Sequence, residues 1–347
     1  MADVVSALDG LTGGRITSVV DGRNPWAITK DSGIAGKAVT ELPGLVWGRE
    51  AKVVRRLAVA MTVTEHHLEL AQATGVDAIV AHHPLADAAS SGGVSLADYL
   101  SLYDLAVLEC HEAFHGLHPG IAELHGHVPF RIDPAFGGHH GMVVMVGRPM
   151  PGVDTVGDVL ARLEERLERD LDRQVLSAEK LVHHCDRVAD SATAPGLRVL
   201  NGTTSSPLGD AVLHAFPHTG FGAEHLDQLL DEHPDVGTLV LSISSAAVGS
   251  ALVRAAVARG LNVIVGSSHA SEILENGMPL AFALSELLPG VDVQLFRDRV
   301  VALPLHQVGR GPLRDYGYSM ATGHLLPRAA AVCERDEQDV PVSVQAG

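Results

Sequence analysis

Three short stretches of this chain bring imidazole and carboxylate groups to the ends of apolar runs. Asp77-Ala78-Ile79-Val80-Ala81 delivers His82-His83-Pro84, and residues 105–110 deliver His111-Glu112-Ala113-Phe114-His115, with His118 just beyond. Residues 261–266 deliver Ser267-Ser268-His269-Ala270-Ser271-Glu272. Neutral imidazole and ionised carboxylate together suit one or two divalent transition-metal ions such as Zn, Mn, Fe, Ni or Co. The plainer alternative is that these histidines only decorate loops, since neighbouring residues of a strand point to opposite faces and one ring of a pair is then packed or solvated. Repetition of the pattern favours the metal.

The elements that must position these groups follow from the same runs. Each run reads as a buried strand, and Pro84 forbids continuation of the first. If the three strands lie parallel, in one sheet or in facing sheets, all three clusters arrive at carboxyl ends, where open α/β sheets bind ligands. Arg56-Leu57-Ala58-Val59-Ala60-Met61 is a further strand; Thr62 offers a helix cap, with Glu65 three residues on, and Gly75 a stop. Strand, helix and strand make a βαβ unit with a right-handed crossover. The small-residue loop 86–93, with Asp87, lies in sequence beside the His pair. His139 and His140 precede a strand instead of following one, which places them outside the site.

Near Met150-Pro151-Gly152 the pattern changes and a second unit begins. Val156, Val159, Leu160, Leu163 and Leu167 form a helical apolar stripe, and strand-helix pairs follow to Gly260. Pro279 is placed for the first turn of a helix, and two strands over 291–305 close the fold. The expected architecture is α/β, two α/β domains with mixed sheets: 1–147, 148–305, and an arm at 306–347 whose acidic end is flexible. Residues 1–50 read as irregular, anchored by Trp26 and Trp47, with no chemistry.

The whole composition narrows the partners. With 347 residues, 46% of them hydrophobic, and a mean hydropathy of +0.18, the chain has material for two cores. A net charge of −17 and the lack of a basic block argue against nucleic acid. Three scattered cysteines form no CxxC pair, which points to a reducing compartment. No leader pattern or membrane-length apolar run is present, so the expected place is the cytoplasm, away from membranes. Of the 20 histidines, His66, His67, His183, His184, His225 and His233 read as structural or solvated.

Taken together, the segments between Arg56 and Phe296 resemble the NGG-one-interacting-factor-three-like family, often described as GTP cyclohydrolase I type 2. Asp77 to Pro84 is similar to its aliphatic-strand-His-His-Pro signature, His111 to Ile121 to its His-Thr-Asn-Leu-Asp segment, and Asn262 to Glu272 to its Gly-His-Tyr-Ala-Thr-Glu segment. The resemblance implies a metal pair between two α/β domains and a ring-shaped homo-oligomer, typically a hexamer. His82, His83 and Glu272 fall on family ligand positions, and His115 stands at a ligand Asp. Ser268 aligns with a family His; a one-residue slip makes the adjacent His269 the ligand. Fewer carboxylates would move metal preference toward borderline ions.

Two functions are expected from this set. The first is a metal-dependent hydrolase acting on a cyclic or amide-like C–N bond of a small-molecule substrate, with Glu272 bridging or orienting the metals and His111 or His115 carrying protons. The second is a non-enzymatic metal-binding ring, a metallochaperone or interaction scaffold.

Overall fold

A computed structural model describes residues 1–31, 38–85, 96–166, 198–242, 249–266, 272–297, 301–305 and 311–331. His269 and Asp87 lie outside the described residues, as does the acidic end after 331. The chain divides into two compact units: Met1–Leu117 with Met278–His306 and Gly317–Gly347, and His118–Gly277 with Gln307–Tyr316.

The first unit opens with helix α1 (Ala2–Leu11), the hairpin strands β1 (Ile28–Asp31) and β2 (Ala38–Glu41), and β3 (Gly44–Trp47). Then come β4 (Arg56–Ala60), α2 (Glu65–Thr74), β5 (Ala78–Ala81), α3 (Leu96–Leu102) and β6 (Ala106–Glu109). The second unit holds α4 (Gly120–Leu124), β7 (His127–Asp133), β8 (Val144–Pro149), α5 (Val156–Arg166), β9 (Arg198–Asn201) and β10 (Ala211–Ala215). It continues with α6 (Ala223–Glu232), β11 (Val236–Leu241), α7 (Ala251–Ala258) and β12 (Asn262–Val265). The chain ends through α8 (Met278–Leu287), β13 (Asp292–Arg297), β14 (Val301–Pro304) and α9 (Gly311–Met320).

Among the described residues each unit has one six-stranded sheet. The first runs β14-β13-β4-β5-β6-β3, with β13, β4, β5 and β6 parallel and the outer strands antiparallel. The second runs β7-β8-β10-β11-β12-β9, with β10, β11 and β12 parallel. Both are mixed α/β sheets, as expected. Strands β5 and β6 are buried at every position, which is why they read as continuous apolar runs without alternation. Helices α2 and α3 cover one face of the first sheet through Leu68, Ala71, Leu96 and Leu100 against Ala58, Ile79 and Val107.

The expected break after residue 147 is not where the chain changes sheet. Strands β7 and β8 already belong to the second sheet, and β13 returns to pair with β4, Asp292 opposite Arg56. An ion pair of 2.7 Å from Arg56 Nε to Asp292 Oδ2 marks that return.

Local signals held where a cap fixes them. Helix α2 is capped by Thr64, two residues later than expected; its side chain accepts from the His67 N–H, and His67 Nδ1 accepts from the Thr64 N–H at 3.1 Å. His67 is therefore a buried cap, not a solvated ring. Gly75 ends the helix at φ 69°, the left-handed conformation that favours glycine.

Two expectations fail. Pro279 sits inside a helical run instead of opening it: a π-helical turn, Ile273–Gly277, precedes α8 directly. Proline has no N–H to give the carbonyl four residues back, and that carbonyl, on Glu275, accepts from the Tyr316 hydroxyl at 3.3 Å. The supposed arm is also helical over residues 311–331, because Leu313, Tyr316, Met320, Leu325 and Ala329 recur at three- to five-residue spacing and are buried.

Candidate metal centre

Strands β5 and β6 are parallel neighbours with Ala81 opposite Glu109, so their carboxyl ends stand side by side. His82 and His83 leave one end, and His111 and His115 leave the other. Although adjacent strand residues diverge, β5 stops at Ala81 and the chain bends, which carries both rings of the His pair into one cluster. Ring centroids lie 4.7 Å apart for His82 and His111, 5.1 Å for His82 and His115, 5.1 Å for His83 and His111, and 4.5 Å for His111 and His115. The ligand atoms of His82, His83 and His111 all fall within 4.8 Å of one another, as do those of His111, Glu112 and His115.

What stands behind each ring sets which nitrogen faces the cluster. His82 Nδ1 lies 3.0 Å from the Cys110 carbonyl, which only accepts, so the proton is on Nδ1 and Nε2 bears the lone pair. The Glu112 carboxylate stands behind the next ring, 3.4 Å from His115 Nδ1. The Nε2 atoms of His82 and His115 are 3.1 Å apart. At that distance the two rings share either a proton or a cation. Nitrogens bound to one tetrahedral zinc at about 2.0–2.1 Å are themselves about 3.3 Å apart, so the spacing fits an ion. The residues present fit a transition metal by this test, and four imidazoles suit a borderline one.

Three buried carboxylates, which the sequence reading left out of the site, frame these rings. Glu41, 5% exposed at the end of β2, puts Oε2 2.9 Å from His111 Nδ1. Residues 1–50 thus do carry chemistry; β3, pairing with β6, holds this segment against the loop. Glu112 lies between His111 and His115. Glu109 accepts from the Leu42 N–H at 3.0 Å and the Leu85 N–H at 2.7 Å, so it ties the segment after Pro84 to the end of β2. Arg15 adds a clamp: its Nη1 donates to the Ala113 and His115 carbonyls at 3.2 and 3.0 Å while its guanidinium lies 4.0 Å over Trp26. Burial lowers the Arg15 pKa to about 10, which leaves it cationic at neutral pH. Burial also pushes the Cys110 thiol up to about 12, and a thiol that stays protonated is neither nucleophile nor ligand.

Glu272 belongs to the second unit, buried at the head of the helical run before α8. His118 also belongs there; its Nδ1 accepts from the Gly120 N–H at 3.1 Å. His139 and His140 are exposed. No helix among the described residues is long and apolar enough to cross a membrane.

The family model Duf34/NIF3 (NGG1p interacting factor 3) matches residues 33–91, which include the His-His-Pro signature. No curated protein matches the chain. Among solved structures it is similar to a Bacillus cereus protein related to NIF3, at 13% identity and a TM-score of 0.52, over 84% of this chain and 95% of that one. It is also similar to the Staphylococcus aureus hypothetical protein SA1388, at 16% identity and a TM-score of 0.52, over 85% of this chain and 95% of that one. At these identities the structural likeness speaks for the fold. A Duf34/NIF3 segment at residues 33–91 thus lies in a chain whose fold is similar to that of NIF3-related proteins, the resemblance its histidine motifs led one to expect.

Proposed function

We propose that His82, His83 and His115 hold the transition metal of a hydrolase that opens a cyclic or amide-like C–N bond in a small molecule, with His111 beside them as proton carrier. The observation that carries this reading is the clustering of four imidazoles with ring centroids 4.5–5.1 Å apart and the 3.1 Å approach of the His82 and His115 Nε2 atoms. These residues would hold a divalent ion, which would supply Lewis acidity and a more acidic bound water.

The chain's own groups do the rest. Cys110 and Thr62 fix the rings of His82 and His83, the latter through a 3.2 Å contact from Thr62 Oγ1 to Nδ1. Glu41, with Oε2 2.9 Å from His111 Nδ1, sets a carboxylate beside the ring that passes a proton to the departing nitrogen. The resemblance assigns Glu272, and His269 after its one-residue slip, to the same ligand set, and a homo-oligomeric ring to the whole.

Metal content per chain, measured on protein purified without added metal or an affinity tag, is the first test. Wild type should carry metal and His82→Ala/His83→Ala should lose it. Metal-loaded wild type should then turn over members of a panel of cyclic and linear C–N substrates, while folded His83→Ala should not; equal turnover by the variant would sink the proposal. Bound metal with no turnover across the panel favours the metallochaperone or scaffold. Sedimentation velocity tests the ring.

A further inference from the structure

The stretch that carries His111 and His115 belongs to no helix or strand. Within it the Phe114 and His115 N–H groups donate to the His111 carbonyl at 2.8 and 3.2 Å, bonds that close a turn without tying it to the rest of the fold. Ala113 and Phe114 are buried, at 1% and 0% exposure, so water is shut out from this side of the turn. A carbonyl held there needs a donor from the protein.

The donor comes from far upstream. Arg15 Nη1 reaches the Ala113 carbonyl at 3.2 Å and the His115 carbonyl at 3.0 Å, across 98 and 100 residues of sequence. Arg15 is itself held by one amide. Asn24 Nδ2 donates to the Arg15 and Ile16 carbonyls at 3.0 and 2.9 Å, and Asn24 Oδ1 accepts from the Trp26 N–H at 2.8 Å. The same side chain thus fixes the backbone of the arginine and the ring on which its guanidinium lies, 4.0 Å away. A planar guanidinium lying on an indole has little freedom left to lose when it donates. The segment is also seated on its neighbours. Asp9 in α1 accepts from the Thr17 N–H at 2.8 Å and the Thr17 hydroxyl at 3.0 Å. Ile16 packs so closely on Gly44 that an added Cβ would stand 3.0 Å from its Cγ2, and Gly44 opens β3, the partner of β6. The arginine and the turn it grips are therefore both referred to one pair of strands.

We propose that Arg15 is a positioning residue of the metal centre, which sets the turn 111–115 through the Ala113 and His115 carbonyls and so places the His115 ring against His82. The inference rests on the reading of that cluster as metal-binding. Arg15 acts through the backbone behind the ring, and the 3.1 Å approach of the His82 and His115 Nε2 atoms depends on where that backbone is held. Small displacements of a ligand's support are felt at the metal.

The test compares full-length wild type with Arg15→Met, which keeps the apolar stem and removes the donors. In competition with a chelator, the folded variant should bind Co(II) about 10- to 100-fold more weakly, with altered visible ligand-field bands. A merely structural arginine would lower the urea midpoint and leave the bands alone; bands and affinity equal to wild type overturn the proposal. Amide exchange in the metal-free proteins supplies a readout that needs no ion. The Phe114 and His115 amides should exchange at least about 10-fold faster in Arg15→Met, while those of β5 keep their wild-type rates. Wild type that takes up no Co(II) would end the metal reading, and the exchange rates alone would then decide whether Arg15 places the turn; equal rates overturn it. Should Arg15→Met not fold, Arg15→Lys replaces it with the same readouts. An ammonium lacks the planar fork, so a loss of about 10-fold in Co(II) affinity is expected, and no loss overturns the proposal.

Discussion

His82, His83, His111 and His115 differ less in their rings than in the atoms behind them. Cys110 gives one a carbonyl, Thr62 another a hydroxyl, and Glu41 and Glu112 give the last two carboxylates. Glu41→Gln keeps the shape and removes the charge. Competition with a chelator should show metal affinity lowered about 10- to 100-fold, with the metal-free fold intact; equal affinity would take Glu41 out of the site. Three buried rings of the second unit make a separate prediction. Burial lowers His125 to about 4 and His127 to about 3, and holds His214 well below its usual value. The unfolded chain takes up these protons near pH 6.5 and the folded chain does not. Stability is therefore full above pH 6.5 and falls as pH drops toward 4, by up to about 1.4 kcal/mol per pH unit for each ring. Urea midpoints between pH 7.5 and 4.5 should follow that slope, and His214→Leu should flatten it. The imidazoles were legible in the sequence because they are concentrated at the ends of apolar runs. Glu41 was not: it is one of 42 acidic residues, in a stretch without a motif, and only the pairing of β3 with β6 brings it to His111.

At the scale of elements, the βαβ core was legible because its borders are chemical. Apolar runs are closed by Pro84 and Gly75, and a hydroxyl precedes α2. Gly75→Ala forces a side chain into φ 69° and should cost about 1 kcal/mol in urea unfolding, with the metal site unchanged. Glu109→Gln should do more. Its carboxylate receives two backbone N–H groups from separate segments, and an amide turns an N–H toward one of them. A loss of about 1–3 kcal/mol is expected, together with weaker metal retention because Leu85 is released beside His83 and Pro84. Equal midpoints for variant and wild type would show the tie to be dispensable. The helix over 311–331 escaped notice for a physical reason: Gly311, Pro312, Gly317 and Gly323 dilute its propensity, and the apolar stripe alone sustains it. The π-helical turn at 273–277 was equally hidden, since its carbonyl partner, Tyr316, lies 41 residues away.

For the molecule as a whole, the class of fold was legible and its division was not. Composition and strand runs indicate two α/β units, but nothing local announces that β13 goes home to β4. That return bears on how the chain is made. Arg56 and Asp292, joined at the seam of the first sheet, are 236 residues apart in sequence. At ribosomal speed the second residue emerges on the order of tens of seconds after the first. Throughout that interval β4 is an open edge, while the strands of the second unit emerge in one stretch and can pair. The histidines of the candidate centre are thus synthesised early on a sheet that closes late, and a chain stopped after residue 277 should aggregate through that edge where the full chain stays dispersed.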